Sequence, residues 1–395
     1  MHGDPPRVLE RHLCPIPVGL PARHRPIQAS GHNSVQRVLR GTTTSPCKRV
    51  WHHRRAGLGL CVDVLGGLVK LVTFQAGPLR AVGAVDGSRV IDLQRAYALR
   101  LEGEGDVRGT EIAAVRIPND MSRFVAGLEP SWRAAEQALE WGRDVDAVAY
   151  DLEEVRLLAP LVPSTILNSG QNYWDHREEK PPVDQKEPEF FLKSPLAVIG
   201  PGDPIVYDQA VTRKLDYEVE LAVVIGKPGR HIPRERALEH VFGYTVANDV
   251  TARDRQAVPH PSGGWQYALG PGKNFDSAAP LGPWIVTADE IPDPQDLALR
   301  TYVNGELRQN NTTAKMIWDV AALVAFFSTF YTLQPGVVIE TGTPGGTAWA
   351  TDPEIGGRAY EREDVRRAGY LKPGDVVRVE IDGIGVLTNP VVGAE

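Results

Sequence analysis

Residues 217–226 read Tyr-Glu-Val-Glu-Leu-Ala-Val-Val-Ile-Gly. From Leu221 onward the run is apolar, rich in β-branched residues and closed by glycine, the mark of a strand that enters a core. Glu218 and Glu220 stand two residues apart where the chain goes in, and side chains alternate along a strand, so both point the same way. Two carboxylates on one face repel and raise each other's pKa unless something positive intervenes. One reading turns Tyr217, Val219 and Leu221 inward and leaves the glutamates in water. The other places a divalent ion between them. Asp249, at the end of the apolar stretch 241–250, offers a third hard oxygen ligand, a set that suits Mg²⁺ or Mn²⁺. No thiolate stands nearby, which disfavours zinc. Sequence spacing does not by itself bring Asp249 to the pair.

Charge is unevenly spread along the 395 residues: the first 68 hold ten Lys/Arg and three Asp/Glu, a net +7, and the remainder carries −14. All three cysteines (Cys14, Cys47, Cys61) and six of the ten histidines also lie in the first 68. The acidic, cysteine-free remainder lacks the basic surface that neutralises phosphates, so nucleic acid is not an expected partner. It has no disulfide framework. No apolar run reaches the roughly 18 residues of a membrane span, and the expected location is the cytoplasm. Residues 1–68 read as an upstream extension, with Val69 near the real start. A transit peptide is the rival reading, and an irregular Cys14, Cys47, His52, Cys61 zinc site a remote one.

Three parts are expected: the extension 1–68, a small N-terminal domain over 69–160, and a catalytic domain over 161–395. Hairpins are expected in 69–93 and a helix over 130–145 with Ser131 as N-cap. Prolines in 157–165 mark a join. Short strands follow at 165–173 and 189–194. Hairpins turn at Asn304-Gly305 and Asp382-Gly383, and Asp319 caps a buried helix over 319–333. "NYWDHREE" (172–179) sets His176 three residues before Glu179, on one helical face. There a carboxylate can orient an imidazole for proton transfer near neutral pH, or the segment is a plain charged surface turn.

Six stretches occur in order: "YEVELAVVIG", "GYTVANDVTARDRQ", "GKNFDSAAPLGP", "YVNGELRQNNTT", "IETGTPGG" and "LKPGDVVRVEIDGIGVLTNPV". Together they resemble the fumarylacetoacetate hydrolase family, over about residues 161–395, and 69–150 resembles the short N-terminal domain of its bacterial members. The resemblance implies an α+β fold with a mixed β-roll or β-sandwich catalytic domain, flanking helices and a small α/β N-terminal domain, assembled as a homodimer. It implies metal ligands at Glu218, Glu220 and Asp249, and a His176–Glu179 acid–base pair on a lid helix. Lys273 is the implied active-site lysine. Lys193, Arg253, Gln256 and Thr343 match positions that line the cavity or hold substrate. For Arg253 and Lys193 a structural ion pair is the alternative.

The implied substrate is a small 2-oxo acid or 1,3-dicarbonyl, and the first expectation is hydrolytic C–C cleavage of an acylpyruvate-like compound. Decarboxylation of an oxaloacetate-like acid, isomerisation or hydration of a dienoate, and a catalytically silent binding protein are the alternatives. Two long segments, 256–272 and 346–370, depart from the simplest family pattern and put substrate identity in doubt. Trp265 and Trp349 within them either wall an apolar pocket or anchor loops.

Overall fold

The apolar run becomes the strand Val219–Ile225, and every residue in it is buried. It is covered on both edges, by the antiparallel strands Val241–Asn248 and Val338–Glu340. Both faces are covered too, which a strand without polar alternation requires. A computed structural model describes residues 70–179, 185–358 and 369–394. The expectations for 1–68 and for the start of the loop after Glu179 lie outside the described residues, as does much of 346–370.

A 12-stranded sheet runs from Ala149–Asp151 through Arg89–Asp92, Leu79–Asp86, Lys70–Ala76, Ala279–Thr287, Val241–Asn248, Val219–Ile225, Val338–Glu340 and Ile166–Gly170 to Glu189–Lys193. Just past that last strand, Val198–Ile199 pairs in parallel with Ala279–Thr287. The six strands between these two points therefore curl back on themselves into a roll. The inward face (Ile166, Val338, Ala222, Val224, Ile285) shares one core with Phe124 and Trp132 of the N-terminal helices. The outward face (Leu221, Val223, Ile339) packs against a five-stranded sheet through Leu299, Val379 and Leu387. This is the α+β, mixed-sheet architecture that the resemblance implies.

The N-terminal hairpins form as the turn signals indicate, and Lys70–Ala76 pairs with Ala279–Thr287, so the sheet runs unbroken past the join near residue 160. Asn304 and Gly305 both adopt left-handed backbone (φ 53 and 80) at their hairpin, the conformation of a type I′ turn. Asp319 accepts from the Ala322 N–H and starts the helix Val320–Phe330.

Ser131 is not an N-cap. The helix runs Leu128–Gly142, Gly127 precedes it, and Ser131 is buried within its first turn. The preceding helix Met121–Ala126 ends at that same Gly127, so one glycine serves both ends. Helices Leu93–Gly103 and Gly109–Arg116 were not read from the sequence. They pack through Ala96, Ala98 and Ala113, whose small side chains leave little apolar periodicity to detect.

Candidate metal centre and active-site cavity

Register brings the acids together. Val219 pairs with Asn248, and the Asp249 N–H donates to the Glu218 carbonyl (2.9 Å), so Glu218 and Asp249 face each other one step further out. Directly opposed residues of an antiparallel pair project to the same side, and Glu220 shares the side of Glu218. The ligand atoms of Glu218, Glu220 and Asp249 all lie within 4.8 Å of one another, and all three residues are buried. The solvated-glutamate reading is thereby excluded: Glu218 is 3% and Glu220 2% exposed.

Cations surround the triad. Lys273 Nζ donates to Glu218 Oε2 (2.7 Å) and Asp249 Oδ2 (2.6 Å). Burial alone would depress this ammonium, but the charges of Asp249 and Glu218 outweigh it and hold the pKa above the usual lysine value. Lys193 Nζ donates to Asp249 Oδ1 and to the Ala278 carbonyl (2.5 Å). Arg253 Nη2 donates to Glu218 Oε1 (2.5 Å), Nε to Asp216 Oδ2 (2.7 Å) and Nη1 to Gln256 Oε1 (2.9 Å).

The triad still carries excess negative charge. Glu220 accepts from the Gly342 N–H (2.7 Å), yet burial, then the charges of Asp249, Glu340 and Glu218, push its pKa well above the ordinary carboxylate range. Glu340 is fully buried, neither carboxylate oxygen has a hydrogen-bond partner among the described residues, and burial raises its pKa to about 8. Asp216, Glu218, Glu220, Asp249 and Glu340 thus face Lys193, Lys273 and Arg253. A dication would hold the triad ionised in place of protons, and three hard oxygens are a fitting donor set for it.

The same cleft holds the acid–base pair. His176, on the short helix Trp174–Glu178, bonds through Nδ1 to Glu179 Oε2 (2.8 Å). Glu179 is itself fixed by the Gly346 N–H (2.5 Å) and Thr347 Oγ1 (2.9 Å). A carboxylate on Nδ1 selects the tautomer whose basic nitrogen is Nε2. The loop after Val338–Glu340 closes the site from below. Gly342 and Gly346 take φ 91 and 105, and a Cβ at either would strike Asn172 or the Arg308 carbonyl. Thr343 Oγ1 donates to the Val219 carbonyl (3.0 Å).

A cavity of about 20 Å³ is lined by His176, Glu218, Glu220, Asp249, Gln256, Lys273, Thr343 and Trp349, with Ser169, Gly170, Gln171, Glu189, Phe191, Tyr267 and Leu269. That volume holds about one water, so a carbon acid enters only if a wall moves. Three expected residues stand outside this lining, Glu179 behind His176 among them. Arg253 and Lys193 are held entirely in the ion network beneath it, the structural-tie alternative for both. Trp349 is a wall residue; Trp265 packs against Gly356 instead. Sequence reasoning missed Asp216, Gln309, Glu340 and the Gln171–Glu189 pair. Glu340 did leave a signal, as a lone charge closing the apolar run Val337-Val338-Ile339.

Residues 165–392 match the model for the fumarylacetoacetate (FAA) hydrolase C-terminal domain. The chain belongs to the fumarylacetoacetate hydrolase family. Family relatives include the mitochondrial oxaloacetate tautomerase fahd2 of Xenopus laevis, 39% identical over 74% of this chain and 85% of that protein. Another is the oxaloacetate tautomerase YisK of Bacillus subtilis, 36% identical over 78% of this chain and 94% of its own length. The crystal structure of maleylpyruvate hydrolase from Sphingobium sp. SYK-6, in complex with manganese(II) and pyruvate, superposes with a TM-score of 0.59 at 27% identity, over 82% of this chain and all of that one. Enzymes of this family are built on the fold described here, and the buried acidic triad suits a divalent metal. No described helix is long and apolar enough to cross a membrane.

Proposed function

We propose that this chain is a divalent-metal-dependent enzyme that moves a proton between the keto and enol forms of a compact 2-oxo acid of the oxaloacetate type. The observation that carries this reading is one cavity lined by the acidic triad, Lys273 and His176, with Glu179 bonded to His176 behind it. The names of the relatives in the frog and in Bacillus support it. Glu218, Glu220 and Asp249 would hold the metal, with Mg²⁺ preferred and Mn²⁺ the alternative. Once bound, the metal supplies Lewis-acid polarisation of the oxo-acid oxygens.

The chain's own residues do the rest. Lys273 lies against the carboxylates at the place where an enolate develops negative charge, and its ammonium stabilises that charge. His176 Nε2 takes the proton from the carbon next to the oxo group and returns it, while Glu179 keeps Nδ1 protonated. Gln256 and Thr343 in the cavity wall orient the acid. A helix of five residues carries His176, so movement of that helix opens the cavity and its return excludes water.

Hydrolysis of an acylpyruvate is the second reading, favoured by the same dyad and by room for one water. Decarboxylation needs no base, so it leaves His176 without a task. A cytoplasmic homodimer remains part of the proposal. Oxaloacetate and an acylpyruvate incubated with Mg²⁺ separate these cases. Faster loss of the oxaloacetate enol absorbance with no carbon fragment supports the tautomerase, two carbon fragments support hydrolysis, and CO₂ release supports decarboxylation. His176→Asn is expected to lose the activity. Full activity of Glu218→Ala in chelator would refute the mechanism.

A further inference from the structure

The strand Glu189–Lys193 points three side chains into the roll at three depths. Lys193, the innermost, reaches Asp249. Phe191 comes next, and its ring lies 5.4 Å from Lys273 Nζ. Glu189 is outermost and half-buried, and like Phe191 it lines the cavity. Phe190 and Leu192 face the other way: Phe190 packs on Phe326 and Phe327, and Leu192 is exposed.

Two residues of strand span roughly 6.5 Å, so Glu189 stands about that far beyond the phenyl ring over Lys273. Its carboxylate is held in place. Gln171, in the left-handed region at φ 53, donates from Nε2 to Glu189 Oε2 (3.0 Å). Gly170 lies directly beneath, where a Cβ would come within 2.6 Å of that oxygen.

The charge is placed where a substrate's far end would lie. Among the described lining residues the cations are Lys273 and, when protonated, His176. Lys273 is engaged by Glu218 and Asp249, and His176 by Glu179. The Arg177 guanidinium does not line the cavity. It is stacked between Trp174 and Trp318 (5.1 and 5.0 Å) and donates to the Gln171 carbonyl (2.8 Å). Glu189's charge acts on Arg177 behind the wall, but among the described lining residues no free cation faces it, so an arriving carboxylate meets a like charge, and like charges juxtaposed in a partly desolvated site repel strongly.

We propose that Glu189 is a specificity residue that admits 2-oxo acids with a neutral or hydroxyl-bearing far end and rejects those that extend a second carboxylate past Phe191. A four-carbon diacid held through C1 and C2 extends only roughly 2.5 Å beyond C2 by bond lengths, so its second carboxylate stops short of this wall. The filter acts on length and charge together. It rests on the function proposed above and narrows its substrate class to compact diacids and longer monoacids.

The test compares three six-carbon ligands, 2-oxohexanoate, 6-hydroxy-2-oxohexanoate and 2-oxoadipate, with oxalate as the short reference. Each is titrated calorimetrically into the Mg²⁺-loaded full chain. The wild type is expected to bind 2-oxoadipate at least about tenfold more weakly than the hydroxy acid. Glu189→Gln should shrink that gap to within about threefold, and Glu189→Lys should invert it, with oxalate affinity unchanged in both. Equal wild-type affinity for 2-oxoadipate and the hydroxy acid overturns the proposal, as does a gap that survives Glu189→Gln. Oxalate binding without any six-carbon binding also overturns it while leaving the proposed function standing. Failure of oxalate to bind removes both.

Discussion

Replacing Gln309 with leucine should loosen the fold and the cavity wall together. Gln309 comes from the outer sheet and is fully buried. Its Oε1 accepts from the Val219 N–H (3.0 Å) and from Thr301 Oγ1 (2.7 Å). Its Nε2 donates to Thr343 Oγ1 (2.8 Å) and to the Pro344 carbonyl (2.8 Å). One amide therefore ties the outer sheet to the strand between the two glutamates and to the loop that carries Thr343. Leucine keeps the approximate volume and removes four buried hydrogen bonds. At about 1 kcal/mol per lost bond, and more where a donor is left unpaired, the loss is about 4 kcal/mol.

For a chain of this size that corresponds to a drop in Tm of roughly 5 °C. Thermal unfolding in chelator is the assay, because bound metal then contributes nothing to either protein. The tie to Thr343 is read from a double-mutant cycle: Thr343→Val should cost less in the Gln309→Leu background than in the wild type, with a coupling of at least about 0.5 kcal/mol. A Gln309→Leu protein that melts within a degree or two of wild type, or additive effects of the two substitutions, would refute the reasoning.

Two further outcomes follow from the buried charges. Arg253→Met leaves Asp216 and Glu218 without their guanidinium and should cost about 3–5 kcal/mol of stability in metal-free, substrate-free protein; an unchanged urea midpoint would refute the structural tie. In the metal-free protein Glu340 keeps, up to about pH 8, a proton that an ordinary glutamate releases near 4.5. The folded state then binds more protons than the unfolded one, so Glu340's contribution is fully present below the unfolded pKa and is lost as pH rises toward 8. The slope is at most about 1.4 kcal/mol per pH unit. Unfolding free energies measured across that window in chelator should lose this slope in Glu340→Gln, and an identical slope in the variant would show that Glu340 is not its source.

Parts of the site were legible as local signals, to which the resemblance to the family gave roles. Two glutamates at the mouth of an apolar strand, a histidine three residues before a glutamate, and an Asn-Gly hairpin each fix a conformation within a few residues. Glu189 and Gln171 carried no such signal. Their pairing follows from the register of Gly170 with Glu189 across two strands, and register is set by turns and burial that no short window contains. Arg253 shows what tertiary context adds. Its position in a site motif suggested a grip on substrate, but the fold places Asp216 and Glu218 within reach, and a fully buried guanidinium binds the nearest carboxylates.

The sequence by itself determined that Glu218 and Glu220 share one face at the mouth of an apolar strand and that His176 stands three residues before Glu179, because side-chain type and strand alternation are local properties; the resemblance to the family added Asp249 and Lys273 to them. Only the tertiary structure decided that the acids meet, since the opposition of Glu218 and Asp249 depends on one antiparallel register. It also decided that Lys193 and Arg253 lie beneath the cavity and that Glu189 stands at its outer wall. Curling six strands into a roll turns distance along the chain into depth within the site, and depth determines which charges a substrate can touch.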